Sequence, residues 1–294
     1  MKQNASEINK KYKKKNQFVD VMVRISKNKM AVIGLVIVVI MILAAIFADV
    51  IADYDEVAIK QDMSIRLQKP SAEHWFGTDE MGRDIFARIV HGTRVSLYVG
   101  IISVAISLFA GGTLGAIAGY YGGKIDNVIM RVLDVFLAIP AMLLATAIVT
   151  AFGSSMLNLL LAVGVASVPG FARVTRASIL TVRDQEFVEA ARAVGAKDST
   201  IIWHHILPNC LAPLIVQCTL RIGKAIVFTA SLSFIGLGIK QPTPEWGAML
   251  SGSREFIRDC PHMVLFPGLA IMSIVLALNL LGDGLRDALD PKLK

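Results

Sequence analysis

The sequence predicts an all-α, polytopic membrane protein with six transmembrane helices, and three observations carry that expectation. Hydrophobic residues fill 54% of the 294 positions and charged residues only 18%, which is more apolar than an ordinary soluble domain. Several uncharged runs reach the roughly 20 residues needed to cross the hydrocarbon of a bilayer. The net charge of +7 also comes largely from basic residues crowded before the first such run: Lys2, Lys10, Lys11, Lys13, Lys14, Lys15, Arg24, Lys27 and Lys29. That placement reads as a topology signal and not as a nucleic-acid patch, so the expected surroundings are a lipid bilayer and no nucleic acid.

Residues 1–29 are therefore expected to form a basic, disordered tail on the cytoplasmic side. The first span, Met30 to Val50, is longer than the apolar core of a cleavable signal, and no small-residue cleavage site follows. It is expected to stay as a helix. Residues 51–95 form an extracytoplasmic segment with more acids than bases. Within it "FGTDEMGRD" places Gly77 and Asp79 at a tight turn, and spaces Asp84 and Arg88 to pair along a short amphipathic helix. That helix is read as an outer contact surface or a structural plug.

Residues 96–284 form the core, with five more spans. These are Ser96 to Tyr120, Asn127 to Phe152, Met156 to Phe171, Leu211 to Ile235, and Met263 to Leu281; the third and fourth are a hairpin split at Gly153, Ser154 and Ser155. Residues 285–294 form a cytoplasmic C-terminus. With the basic tail inside, the spans alternate so that 172–210 is also inside, where Arg173, Arg176, Arg183, Arg192 and Lys197 agree with the positive-inside rule.

Particular residues suggest roles within that frame. Gly111, Gly115 and Gly119 leave one face of span two bare, so another helix can approach closely. Pro140 and Pro169 invite kinks in spans three and four. Gln217, Arg221 and Lys224 share one stripe of span five. Two readings of these charges stay open: they line a translocation path and favour substrates with carboxylates, or the span starts later and both cations snorkel to the cytoplasmic interface.

The loop 184–209 contains "EAARAVGAKDSTIIWHHILPN", Glu189 to Asn209. Asp184 is expected to cap a helix over Gln185 to Val194, Gly195 to take the left-handed position after it, and Asp198 to cap a second short helix that stops near Pro208. Small Ala190, Ala191 and Ala193 beside apolar Phe187, Val188 and Val194 suit docking into a partner protein. They equally suit a helix resting on lipid with Trp203 as anchor. His204 and His205 are adjacent and do not share a helix face, so they are read as surface residues and not as metal ligands. Cys210, Cys218 and Cys260 show no zinc or redox spacing.

Enzyme classes find little support. No H-E-x-x-H or G-x-S-x-G is present, and Gly123-Lys124 and Gly223-Lys224 both lack the earlier glycine and the following Ser or Thr of a P-loop. Six spans alone would also fit a secondary transporter that needs no ATPase.

A resemblance separates these readings. Glu189-Ala190-Ala191, Gly195 and Leu207-Pro208 resemble the "EAA" loop of ABC-importer permease subunits, with His205 standing where that pattern usually has isoleucine. "HWFGTDEMGRDIFARIVHGTRVSL", "ASLSFIGLG", "PEWGAML" and "NLLGDGLRDALDPKL" are similar to the C-type permease of dipeptide, oligopeptide and nickel importers. The resemblance implies a type I permease fold in the cell membrane, with both termini cytoplasmic and the EAA loop seated in a cleft of an ATPase. Its implied partners are a B-type permease, two cytoplasmic ATPase subunits that carry the ATP and Mg, and an extracytoplasmic substrate-binding protein. This chain would bind no cofactor itself. The implied cargo is a dipeptide or oligopeptide, with nickel or a metal chelate as the alternative. Relatives usually carry small neutral residues where this chain has Arg221 and Lys224.

Overall fold

The computed structural model describes residues 17–289, and every regular element among them is helical. The first is α1, Gln17–Lys27, and Asn28 divides it from α2, Lys29–Ile46. The Asn28 carboxamide oxygen accepts from the backbone of Met30 at 3.1 Å and Ala31 at 3.2 Å, satisfying donors that a helix start leaves orphaned. Residues 17–27 thus differ from the disordered tail expected, because the apolar face of α1 has a partner: Val21 and Ile25 pack with Ala31, Leu285 and Ala288. Lys2, Lys10, Lys11, Lys13, Lys14 and Lys15 lie outside the described residues.

The second spanning helix, α3, is Ile85–Tyr121 and begins well before Ser96. Its Asp84 cap accepts from the Ala87 N–H at 2.8 Å and also meets His74 Nδ1 at 2.8 Å. Asp84 and Arg88 do not pair on an amphipathic surface helix as their spacing suggested. Arg88 is 1% exposed, 3.4 Å from Asp79, and donates to the carbonyls of Ala58 and Pro242. The nearby Arg83 binds Asp79 at 2.7 Å, Glu80 at 3.2 Å and Gln241 at 3.0 Å. "FGTDEMGRD" is therefore interior, a polar knot joining residues 52–84 to residues 236–261. Its charges obscure the helix start in sequence because they are paired and buried, not solvated.

Span three is two helices, α4 (Gly123–Ala138) and α5 (Ala141–Phe152), which meet at 84°. Pro140 restricts Ile139 to extended backbone, and the expected kink is a corner. The next helix, α6 (Met156–Leu180), runs through Pro169 and past Phe171 without interruption. A short helix, α7 (Glu186–Ala193), precedes α8, Asp198–Phe234. A helix α9 of about two turns, Trp246–Gly252, and α10, His262–Leu289, are the last of the described elements. Five of these helices are long and apolar enough to cross a membrane, and the bent pair allows a sixth span.

Besides the cluster around α1, the helices pack through three further apolar clusters. At one end Trp246, fully buried, donates from its indole to the Ile89 carbonyl at 3.1 Å among Ile85, Met249 and Met263. In the middle Phe171, Leu159, Val163 and Leu232 meet. At the other end Tyr120, Ile179 and Val182 hold the 186–210 segment.

Candidate coupling hairpin and charged span

The end cluster positions α7 by its sequence period. Val188 and Ala191, three residues apart, point inward and are buried against Ala116, Tyr120, Ile179 and Val182. Glu189, Ala190, Phe187 and Val194 then face outward, Val194 with 84% of its surface exposed. Among the described residues the Glu189 carboxylate has no hydrogen bond or ion pair.

Gly195 closes α7 with φ +80. Its N–H donates to Arg192 and that of Ala196 to Ala191, so the last carbonyls are satisfied by a turn that needs left-handed backbone. A Cβ here would meet nothing within 4 Å; only the torsion selects glycine. The caps differ from those expected. Gln185 precedes α7 but does not cap it, its side chain donating back to the Thr181 carbonyl at 3.2 Å, while Asp184 turns to Arg183. Lys197 precedes α8, and the Asp198 carboxylate instead accepts the Tyr120 hydroxyl at 2.7 Å. Arg192 lies over the same tyrosine ring, 5.3 Å from its centroid.

Pro208 does not end the second arm of the hairpin. Helix α8 passes through a π-helical turn at Ile201–Ile206, in which the Leu207 N–H reaches back to the Ile202 carbonyl. That wider turn accommodates the proline, and the Asn209 side chain donates to the His205 carbonyl at 2.6 Å. The second hairpin arm is consequently the first part of a continuous 37-residue helix that is long and apolar enough to cross a membrane. Leu207 is half-buried and Pro208 exposed; His205 is half-buried, His204 and Trp203 exposed. Among the described residues no group of three or more His, Cys, Asp or Glu could hold a metal.

The bare face of α3 lies against α6. A Cβ on Gly111 would fall 2.5 Å from the Val168 carbonyl, one on Gly115 2.3 Å from that of Ala172, and one on Gly119 3.0 Å from Ile179. Backbone-to-backbone approach this close leaves no space for a side chain.

Farther along α8, Arg221 and Gln217 are brought into contact. With the Gln217 oxygen turned toward it, the guanidinium donates from Nε at 2.6 Å and from Nη2 at 3.1 Å. Its plane lies over Phe171 at 4.9 Å, in space left by Gly170, whose Cβ would sit 2.1 Å from Nη2. Arg221 and Lys224 line one recess of about 180 Å³ with Ala141, Ser167 and Phe228. Gln217 opens on a neighbouring recess instead, beside Arg286. The Arg221 head group is turned onto Phe171 of α6. Sequence reading missed Phe171, Gly170 and Tyr120, which lie in other segments and meet these residues only in three dimensions. It also gave Arg173 only a topological role and left Asp134 unused, although they form an exposed ion pair at 2.7 Å.

A bundle of long apolar helices that displays a short helical hairpin at one end and keeps unneutralised cations inside a span is a membrane transport subunit. Residues 111–294 match the family model described as binding-protein-dependent transport system inner membrane component, and residues 16–70 match the N-terminal TM domain of oligopeptide transport permease C. A dipeptide transport system permease protein of Alkalihalophilus pseudofirmus is 54% identical over 92% of this chain and 88% of its own length. Glutathione transport system permease proteins are 52% identical in Pectobacterium atrosepticum, over 76% of this chain and 75% of that one, and 46% identical in Escherichia coli, over 92% and 89%. Among solved structures, an inward-facing MetNI methionine ABC transporter superposes with a TM-score of 0.57 at 18% identity, covering 69% of this chain and 96% of that one. An amino acid ABC transporter gives 0.51, also at 18%, covering 69% and 92%. The chain belongs to the binding-protein-dependent transport system inner membrane component family. It is a permease subunit of an ABC importer and not the ATPase.

Proposed function

We propose that this chain is the C-type permease of an importer for dipeptides or oligopeptides, and that it pairs with a B-type permease to form the translocation path. Two ATPase subunits bind and hydrolyse ATP with Mg, a substrate-binding protein delivers the cargo from outside, and this chain contributes no cofactor. The identity of 54% to a dipeptide permease over most of both chains supports the peptide class. The positive-inside pattern supports placing the hairpin end, α1 and the C-terminus in the cytoplasm.

The single structural observation behind the coupling role is the division of α7 into an inward Val188/Ala191 face and an outward face that carries an unpaired Glu189. Closure of the ATPases would push this outer face, the continuous α8 helix and the α3–α6 contact would carry the displacement, and the path between permeases would change its open side. Chemical energy enters elsewhere; this chain converts movement into access.

The test is purification of the chain from its native membrane followed by peptide uptake in reconstituted vesicles. Co-isolation of two ATPase subunits and a second permease, with ATP-dependent uptake of a dipeptide, is the expected result. Uptake driven by an ion gradient without ATPases would overturn the reading, and ATP-dependent uptake of nickel or a chelate in place of peptide would overturn the cargo.

A further inference from the structure

The cation pair on α8 calls for an anion that the chain does not supply. Arg221 makes no ion pair among the described residues, and its one polar partner is the neutral Gln217 carboxamide. Lys224, one turn on, also has no acidic partner and lines the same recess. By the helical rise of about 1.5 Å per residue, Arg221 stands ~20 Å from the Phe234 end of α8, at a depth where an uncompensated charge is costly. Structural cations at such depth are normally neutralised by a carboxylate on the same bundle. Asp134 is taken by Arg173 and Asp126 by Arg176, at 2.7 and 2.5 Å.

The head group is held in a particular orientation. Gln217 occupies the Nε edge and part of Nη2, Phe171 covers one face, and Gly170 removes the side chain that would otherwise fill the guanidinium's place. Among the described residues Nη1 has no hydrogen-bond partner, so the guanidinium keeps donors for a charge-assisted hydrogen bond to a carboxylate. The recess it shares with Lys224 is about 180 Å³, room for a terminal group and an adjacent residue but not for a folded chain. Ala141 on its rim is the first residue after the 84° corner, where α4 and α5 turn a broad exposed face away from the bundle.

We propose that Arg221 and Lys224, with Gln217, Phe171 and Gly170 as positioning residues, form a transit subsite that takes the C-terminal carboxylate of the transported peptide. The proposal rests on the peptide reading above. It differs from that reading in placing a specificity element within the permease itself, beyond whatever the binding protein selects. The carboxylate exchanges water for two charge-assisted hydrogen bonds midway through the span, and Lys224 supplies a second attraction that keeps release shallow.

The test uses the complete importer, with all subunits, in vesicles, and compares uptake of dialanine with uptake of its C-terminal amide. The variants are Arg221→Gln and Gly170→Ala; the second keeps the charge but pushes the guanidinium out of its seat. Loss of even one of the two charge-assisted hydrogen bonds corresponds to a fall of at least about tenfold. Both variants should therefore lower the maximal rate for dialanine at least about tenfold, leave any amide uptake at its wild-type rate, and retain the partner permease on purification. Unchanged dialanine uptake in Arg221→Gln overturns the subsite. An equal loss of both peptides, or loss of the partner permease, also overturns it by assigning Arg221 a structural role. If the wild-type importer carries neither peptide, the peptide reading fails and the proposal fails with it.

Discussion

The Tyr120 hydroxyl donates to the Asp198 carboxylate at 2.7 Å and so ties the last turn of α3 to the first turn of α8. Removing only the hydroxyl, in Tyr120→Phe, should keep the ring that packs in the end cluster and lose a bond worth about 1.5–3 kcal/mol to a charged acceptor. Uptake should fall severalfold while the amount of protein in the membrane stays near normal. Wild-type uptake would show that this tie carries no motion.

Glu189 has no partner among the described residues and faces away from the bundle. Its replacement by lysine should leave the fold alone, because no internal bond is lost, and abolish uptake by repelling the surface it docks on. Pull-down of the ATPase subunits reads the effect directly; retention of both at wild-type yield, with normal uptake, would refute the docking role.

For Gly195 the constraint is torsional. A valine at φ +80 costs roughly 1–3 kcal/mol even though its Cβ meets open space. Gly195→Val should therefore unseat α7 and lose transport, while Gly195→Asn, which tolerates left-handed backbone, should keep much of it. Equal activity in the two variants would contradict a torsional cause.

The glycine face of α3 has an internal control. Gly115→Ala places a methyl 2.3 Å from the Ala172 carbonyl, whereas Gly112→Ala meets its nearest neighbour at 3.8 Å. The first should lower the melting temperature of the detergent-solubilised protein by several degrees, corresponding to an overpacking cost of about 1–3 kcal/mol. The second should leave it unchanged. Similar melting of both would mean that α3 and α6 separate without cost.

Long uncharged runs located the spans because lipid forbids charge at most depths, and that rule needs no tertiary information. It misplaced the start of α3 for the same reason: Arg83, Asp84 and Arg88 look solvated in sequence but are paired inside a folded knot. The two arms of the hairpin and the left-handed Gly195 were legible because turn chemistry is local, although Asp184 and Asp198 turned to other partners and cap neither arm. Pro208 was misread as a stop, since the π turn that absorbs it depends on Leu207 reaching back to Ile202. The stripe of Gln217, Arg221 and Lys224 could be drawn from helical period alone. Its platform, Phe171 over Gly170, could not, because those residues belong to a helix whose register against α8 is set by packing.

The right-angled corner at Ile139 and Pro140 has a consequence for the cell that makes this protein. Peptide groups at a corner cannot all bond within their own helix, and acyl chains offer them nothing in exchange. The exposed stretch around residues 134–143 is therefore unsuited to lipid until another chain or a water-filled space covers it. A copy synthesised without such a cover would carry that defect into the bilayer. Steady-state abundance of this subunit should consequently follow the supply of its scarcest companion and not its own rate of translation.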